Sequence, residues 1–466
     1  MIKKTALEKR VKRRIAARTH RFFAVCAPGL KRLCHREMIA LNQQNINLDG
    51  HQHQRADSCL SIQFKDIEVI PGGVEFTGSV EDCYAANLYL RSPSRFLMRI
   101  ARFRAENFRA LEKKLSEIEW ELYLKPSMPV DFEVSAKASR LYHTDAIAQR
   151  AERSIKDHFA SSDQNCKGEI PQPETSIGMQ TIMLRTENDI FEISIDSSGE
   201  LLHKRGLKGN VGAAPLRETL AFAILAAMSY PTGNSSIKPD EFLSDSFPSS
   251  IYEIPPLIDG MCGSGSFTLE AAMVAHNIPA GFFRRFAFED WPCFSRGQWN
   301  YMKKIAEDRI KYQGRAGINH QNKDRITKHP LIFAVDKDAN MLAGLKQTVE
   351  KFNLTSSVQI IKDDFFDILP GELAAQKDDF SDRTNRLTVT NGFLVLNPPY
   401  GKRIGEKGEV DKMFDRIGKK LESGFTGWRV AVIVPDKRLL SYLPAIKALI
   451  PIFHGGLEIH AAIIQL

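Results

Sequence analysis

The sequence predicts an α/β protein of several domains, its C-terminal half built on a mostly parallel sheet with helices on both faces. Three observations predict it. Downstream of Leu201, short apolar runs (Leu257–Ile258, Leu331–Val335, Val358–Ile361, Phe393–Leu396 and Val430–Val434) alternate with stretches of helical spacing. That is the pattern of buried strands joined by helical crossovers. Upstream, strand, helix, strand and helix follow one another within about 80 residues, as in small α+β units. At 466 residues the chain exceeds one compact core, and a prior of about 100–200 residues per domain divides it into two to four.

In chain order, residues 1–20 read as a charged extension. Arg21 to Ala27 reads as a strand ending at the Pro28-Gly29 turn, and Leu30 to Leu41 as a helix. Residues 42–57, rich in Asn and Gln, read as a loop. Val69 to Phe76 is a strand broken by Pro71-Gly72-Gly73, and Glu81 to Leu90 a helix. A second unit opens at Ser94–Ile100. It continues with a helix from Phe108 to Ile118 and the alternating strand Val130–Ser135. A helix from Asp145 to Phe159 follows, with Thr144 placed to cap it. After a loop at 161–176, Thr181–Arg185 and Ile190–Ile195 read as strands. A helix over Leu216–Met228 precedes the alternating C-terminal runs, and residues 276–330 form a long insertion between the first two of them.

Charge is unevenly placed. The net charge is +8, yet residues 1–36 hold twelve lysines and arginines against the single acid Glu8, so the remainder is slightly acidic. A basic arm of this kind suits a polyanion, because each neutralised phosphate releases counterions; it also suits a solvated tail. Its start lacks the apolar stretch of a secretory signal, although an Arg-rich organellar presequence stays open. There is no apolar run of about 18 residues, so no membrane-spanning helix is expected. The seven cysteines form no C-x₂-C pair, which argues against a zinc site and for a reduced, cytoplasmic chain.

Four strand ends carry chemistry. After Leu257-Ile258-Asp259 comes a glycine-rich turn containing Met261, Cys262, Gly263 and Gly265, where backbone can approach a ligand that a Cβ would exclude. It is followed by a helix start with free N–H groups. Asp336, closing the next strand, fits an acceptor for ribose hydroxyls or else a helix cap. Asp364 after the third strand fits an acceptor for an adenine amino group, with Phe365 flanking the ring. The fourth is Asn397-Pro398-Pro399-Tyr400. Two prolines fix the backbone and remove two N–H donors. The Asn397 side-chain oxygen and the Pro398 carbonyl can both accept from an exocyclic amine, leaving its lone pair to attack a methyl donor. Tyr400 offers a face on which a base can stack.

These residues resemble motifs I to IV of class I, Rossmann-like amino-methyltransferases. The resemblance implies S-adenosylmethionine as cofactor, Asn397 to Tyr400 as catalytic residues, and no metal. The tetrapeptide is shared by enzymes acting on adenine, cytosine, guanine and glutamine, so it sets the reaction and not the substrate. Upstream, His203 to Ala221 resembles the entry to the catalytic domain of THUMP-containing RNA guanine-N2 methyltransferases. Leu141 to Arg150 resembles the helix entry of a THUMP domain, and Arg285 to Phe294 resembles an insertion of bacterial members. The resemblance implies a ferredoxin-like domain over 21–94, a THUMP domain over 95–200 and the catalytic domain over 201–466. It implies an RNA partner, ribosomal before transfer RNA, with Lys204, Arg205 and Arg217 as RNA contacts and Thr219 near the cofactor. Gly260 and Ser266 depart from the family's usual Pro and Thr. A DNA adenine or protein glutamine methyltransferase, and a non-catalytic RNA-binding factor, are the competing readings.

Overall fold

The computed structural model describes residues 5–43, 62–126, 128–163, 178–208, 216–229, 255–316, 332–375, 391–399, 407–454 and 456–466. The chain forms two compact units. The first comprises Met1–Cys26, Cys34–Leu202 and Arg284–Lys304; the second comprises Ala27–Leu33, His203–Phe283 and Ile305–Leu466.

The first unit is built on seven strands: β1 His20–Cys26, β2 Lys65–Ile70, β3 Gly73–Gly78, β4 Pro93–Arg104, β5 Val130–Lys137, β6 Gln180–Glu187 and β7 Ile190–Asp196. They form one sheet in the order β2-β3-β1-β4-β7-β6-β5, antiparallel except for β5 beside β6. The β2–β3 hairpin turns at the Pro71-Gly72 break anticipated from sequence. The twelve-residue β4 pairs with β1 on one side and β7 on the other, so residues on both sides of position 94 share a single sheet. Residues 284–304, expected within the catalytic half, pack in this first unit. Phe288 stacks on Tyr84 with ring centroids 4.4 Å apart, and the Trp291 indole N–H donates to the Gln180 side chain at 2.9 Å.

The N-terminal segment is not a solvated extension. Thr5 and Glu8 form a reciprocal capping box that starts the helix Ala6–Val11, and Val11 and Ile15 are buried. Arg10 donates to Glu119 and Glu121 at 2.8 and 2.6 Å, and Arg14 pairs with Glu119 as well. The positive charge that reads as an arm for polyanions is therefore partly spent within the fold.

The second unit holds β8 Leu257–Asp259, β9 Ile332–Asp336, β10 Val358–Lys362, β11 Phe393–Leu396, β12 Arg429–Val434, β13 Ile446–His454 and β14 Leu457–Gln465. Their order is β10-β9-β8-β11-β12-β14-β13. The first five run parallel; β14 is antiparallel to both of its neighbours. The core on one face packs Ile258, Phe333, Leu394 and Val432 from the strands against Phe414, Ile417 and Leu421 of the helix Lys407–Gly424. Strand order reverses between β8 and β11. In open α/β sheets that reversal opens a crevice beyond the carboxyl ends of the strands.

Candidate active site

All four strand-end features converge on that crevice. A cavity of about 390 Å³ is lined by Asp259, Met261, Cys262, Gly263, Asp336, Asp364, Asn397 and Pro399, together with Ser264, Ser266, Met341, Phe366 and Met413. Pro398 is buried and does not line it, and Tyr400 lies outside the described residues.

The glycine turn has its shape for steric reasons. Gly263 and Gly265 adopt φ of +51° and +76°, in the left-handed region that side chains resist. A Cβ on Gly265 would meet Leu345 at 2.5 Å. The departure at Gly260 has a separate cause: a Cβ there would come within 2.8 Å of both Leu396 and Phe365. Bulky neighbours on β11 and after β10 leave room for no side chain at that position.

Each acid is held differently. Asp259 is fully buried, and its Oδ2 accepts the Thr268 N–H at 3.1 Å and the Thr268 hydroxyl at 2.7 Å. Its Oδ1 has no hydrogen-bond partner. Burial, partly offset by Thr268, pushes its pKa up to about 7. Asp336 accepts the Gly263 N–H through Oδ2 at 2.7 Å and the Asp338 N–H through Oδ1 at 2.9 Å. It is not the helix cap: Asp338 caps Ala339–Lys351, accepting from Asn340 and Met341. Asp364 accepts the Phe366 N–H at 3.1 Å, with Lys337 at 3.8 Å.

Phe365, expected as the aromatic flank, lines the cavity together with Phe366. Phe365 reaches the cavity but is 2% exposed and anchored among Gly260 and Phe425. Phe366 also lines the cavity, and the Arg416 guanidinium stacks on its ring at 3.8 Å. Two adjacent phenylalanines cannot be ranked from sequence, because which one faces inward depends on the turn after β10.

Asn397, directly after β11, is half-buried and its Oδ1 has no partner among the described residues. An unpaired buried acceptor costs free energy on the order of 1–3 kcal/mol.

Of the expected site residues upstream of the glycine turn, two are placed elsewhere. Arg205 is buried, its guanidinium donating to both carboxylate oxygens of Glu270 at 3.2 Å, so it is not an RNA contact. Thr219 is buried in the helix Glu218–Met228 and does not line the cavity, whereas Leu216 does. Lys204 is exposed, and Arg217 is half-buried at the N-cap of that helix. Lys208, unremarked in the sequence, reaches Ser266 at 3.0 Å, Ser264 at 3.4 Å and Glu218 at 3.1 Å. It ties the entry segment to the glycine turn. Its signal was its place in the same basic run as Lys204 and Arg205.

Among the described residues no cluster of three metal-ligating side chains occurs, and no helix is long and apolar enough to cross a membrane.

Strand order, glycine turn, strand-end acids and Asn-Pro-Pro together define a class I methyltransferase, dependent on S-adenosylmethionine. Residues 251–447 match the profile of the RMKL-like methyltransferase domain, and residues 56–97 that of the RlmL ferredoxin-like domain. The first match falls in the second unit apart from residues 284–304, and the second match falls in the first unit. The chain is 26% identical over 445 residues to slr0064 of Synechocystis, proposed by its name to be an RNA methyltransferase, covering 95% of this chain and 96% of that one. It is 26% identical over 394 residues to the ribosomal RNA large subunit methyltransferase K/L of Marinomonas. That match covers 83% of this chain and 47% of the relative, so the chain spans about half the length of that protein. The crystal structure of SMU.472 complexed with S-adenosylhomocysteine shares the fold, with a TM-score of 0.68 at 22% identity over 96% of this chain and 98% of that one.

Proposed function

We propose that the chain is a cytoplasmic RNA methyltransferase forming N2-methylguanosine in large-subunit ribosomal RNA. The observation that carries the reading is the unpaired Asn397 Oδ1 on the wall of the cavity that also holds the glycine turn and Asp336. The residues suit S-adenosylmethionine: Gly263, at φ +51°, lines the cavity with bare backbone, and Asp259 Oδ1 has no partner among the described residues. Bound there, the cofactor supplies an electrophilic methyl on a sulfonium.

The chain's own residues do the rest. Asp336 is placed to accept ribose hydroxyls, Asp364 to accept an adenine amine, and Phe366 or Phe365 to flank the ring. Five carboxylates against Lys337 on the wall favour a cationic ligand. Asn397 accepts a hydrogen of the guanine amine and helps orient its lone pair; Pro398, expected from the sequence as the second acceptor, is buried off the cavity wall, and the chemistry is positioning and electrostatic placement rather than strong-base chemistry. The names of the K/L relatives support ribosomal RNA, and the resemblance of His203 to Ala221 supports guanine N2. Residues 95–200 are read as the THUMP domain that grips RNA.

Mass-spectrometric mapping of methylated guanosines in ribosomal RNA, from cells with and without this protein, tests the reading. A methylguanosine that disappears, and returns with the wild-type chain but not with Asn397→Ala, is expected. Loss of N6-methyladenine from DNA with every ribosomal guanosine unchanged would overturn it.

A further inference from the structure

A second pocket lies wholly within the first unit, on the sheet face where β4, β7 and β6 run side by side. It has a volume of about 310 Å³ and is lined by Arg99, Arg102, Arg185, Asn188 and two glutamates, Glu187 and Glu192, with Ile70, Pro71 and Ile190 as apolar walls. Strand register sets the spacing: Arg102 on β4 and Arg185 on β6 both pair with Glu192 on β7, one on each side. The two arginines are thus two strand spacings apart, roughly 10 Å between backbones. Long side chains from that separation can close on one small anion.

The charges around it do not cancel. Glu75 and Glu192 are each shared by Arg21 and Arg99, at 2.6 to 3.7 Å. Glu187 is shared by Lys137 at 3.0 Å and Arg185 at 2.9 Å. Arg102 is exposed and has no carboxylate partner among the described residues. Of the charged side chains that line the pocket, three are arginines and two are glutamates. Arg99 forms the floor: its side chain is 9% exposed and lies over the Phe23 ring at 4.5 Å. Burial pushes its pKa down despite both glutamates. At the rim, Asn188 and Asp189 turn the β6–β7 hairpin with φ of 53° and 63°. Planar guanidiniums in a cleft with apolar walls recognise phosphate oxygens, often in pairs.

We propose that this pocket binds a backbone phosphate of the RNA substrate, clamped between Arg102 and Arg185. The proposal rests on the RNA reading above. It places a positioning contact on the open face of the first unit's sheet, apart from the methyltransferase cavity.

The test uses the full chain and a labelled transcript of large-subunit ribosomal RNA, with affinity measured across a salt series. Arg102→Ala and Arg185→Ala are expected to weaken binding by roughly three- to tenfold each and to reduce the slope of log affinity against log salt by about one. Arg102→Lys should keep the slope and lose part of the affinity, because charge survives and the planar fork does not. Arg104→Ala, on the same strand but paired with Glu106 outside the pocket, should change neither. Unchanged thermal unfolding and S-adenosylmethionine affinity in the variants separate the effect from misfolding. If wild type binds the transcript and the two alanine variants bind it equally well with equal slopes, the pocket is not an RNA contact and the RNA reading survives. If inorganic phosphate binds wild type but not Arg102→Ala, while RNA affinity is unaltered, the pocket serves free phosphate and the proposal falls. If wild type binds no RNA at all, both readings fail together.

Discussion

Asp336 Oδ2 accepts the backbone N–H of Gly263 at 2.7 Å, joining the end of β9 to the turn after β8. The two strand ends that would hold a cofactor are thereby locked to each other. Removing the carboxylate takes away the acceptor proposed for ribose and the bond that holds the turn. Asp336→Ala should weaken S-adenosylmethionine binding by about 10- to 100-fold, the worth of a hydrogen bond to a charged group. Calorimetry reads it directly; an unchanged dissociation constant would confine Asp336 to shaping the turn.

Gly260 sits where a Cβ would come within 2.8 Å of Leu396 and Phe365. Gly260→Ala should cost about 1–3 kcal/mol of stability by overpacking. Pairing it with Phe365→Leu should recover part of the loss. Urea unfolding of the single and double variants checks this, and simple additivity of the two costs would count against the steric explanation.

Asp259 carries its own pH signature. Its folded pKa of about 7 stands above the 3.8 of an unperturbed carboxyl. Between those values the folded chain keeps a proton that the unfolded chain has released. Its contribution to stability is therefore full below pH 4 and declines as pH rises to about 7. Asp259→Asn should flatten the fall in unfolding free energy between pH 4 and pH 7. An equal fall in the variant would mean that another group sets the dependence.

Arg205 pairs with Glu270 where both side chains are almost wholly buried, at 1% and 0% exposure. Arg205→Ala strands a buried carboxylate and should destabilise the fold by about 3–5 kcal/mol. The salt dependence of RNA binding, measured below the lowered melting temperature, should stay as in wild type. A changed salt slope with unaltered melting would restore Arg205 as a nucleic-acid contact.

The central strands of the second unit were legible because each is a short apolar run bounded by special residues. β8, β10 and β11 fall within one residue of the runs read for them. The strand-end acids followed, since topology obliges the carboxyl ends of parallel strands to share one edge. β13 and β14, after the last of those runs, were not anticipated. Their apolar stretch beyond Ile446 is interrupted by Pro451 and a glycine pair, without an alternation that stands out locally.

By itself, the sequence determined the order of the strands along the chain, the glycine turn, and the acceptors at Asn397 and Asp336, because these are local matters of residue type and spacing. Only the tertiary structure decided that β4 carries one sheet across position 94, that residues 284–304 join the first unit, and that Arg205 is spent on Glu270 while Arg102 meets no carboxylate among the described residues. Those outcomes turn on partners far apart in the chain. A charged side chain carries no local mark of whether a counter-charge will meet it once the chain has folded.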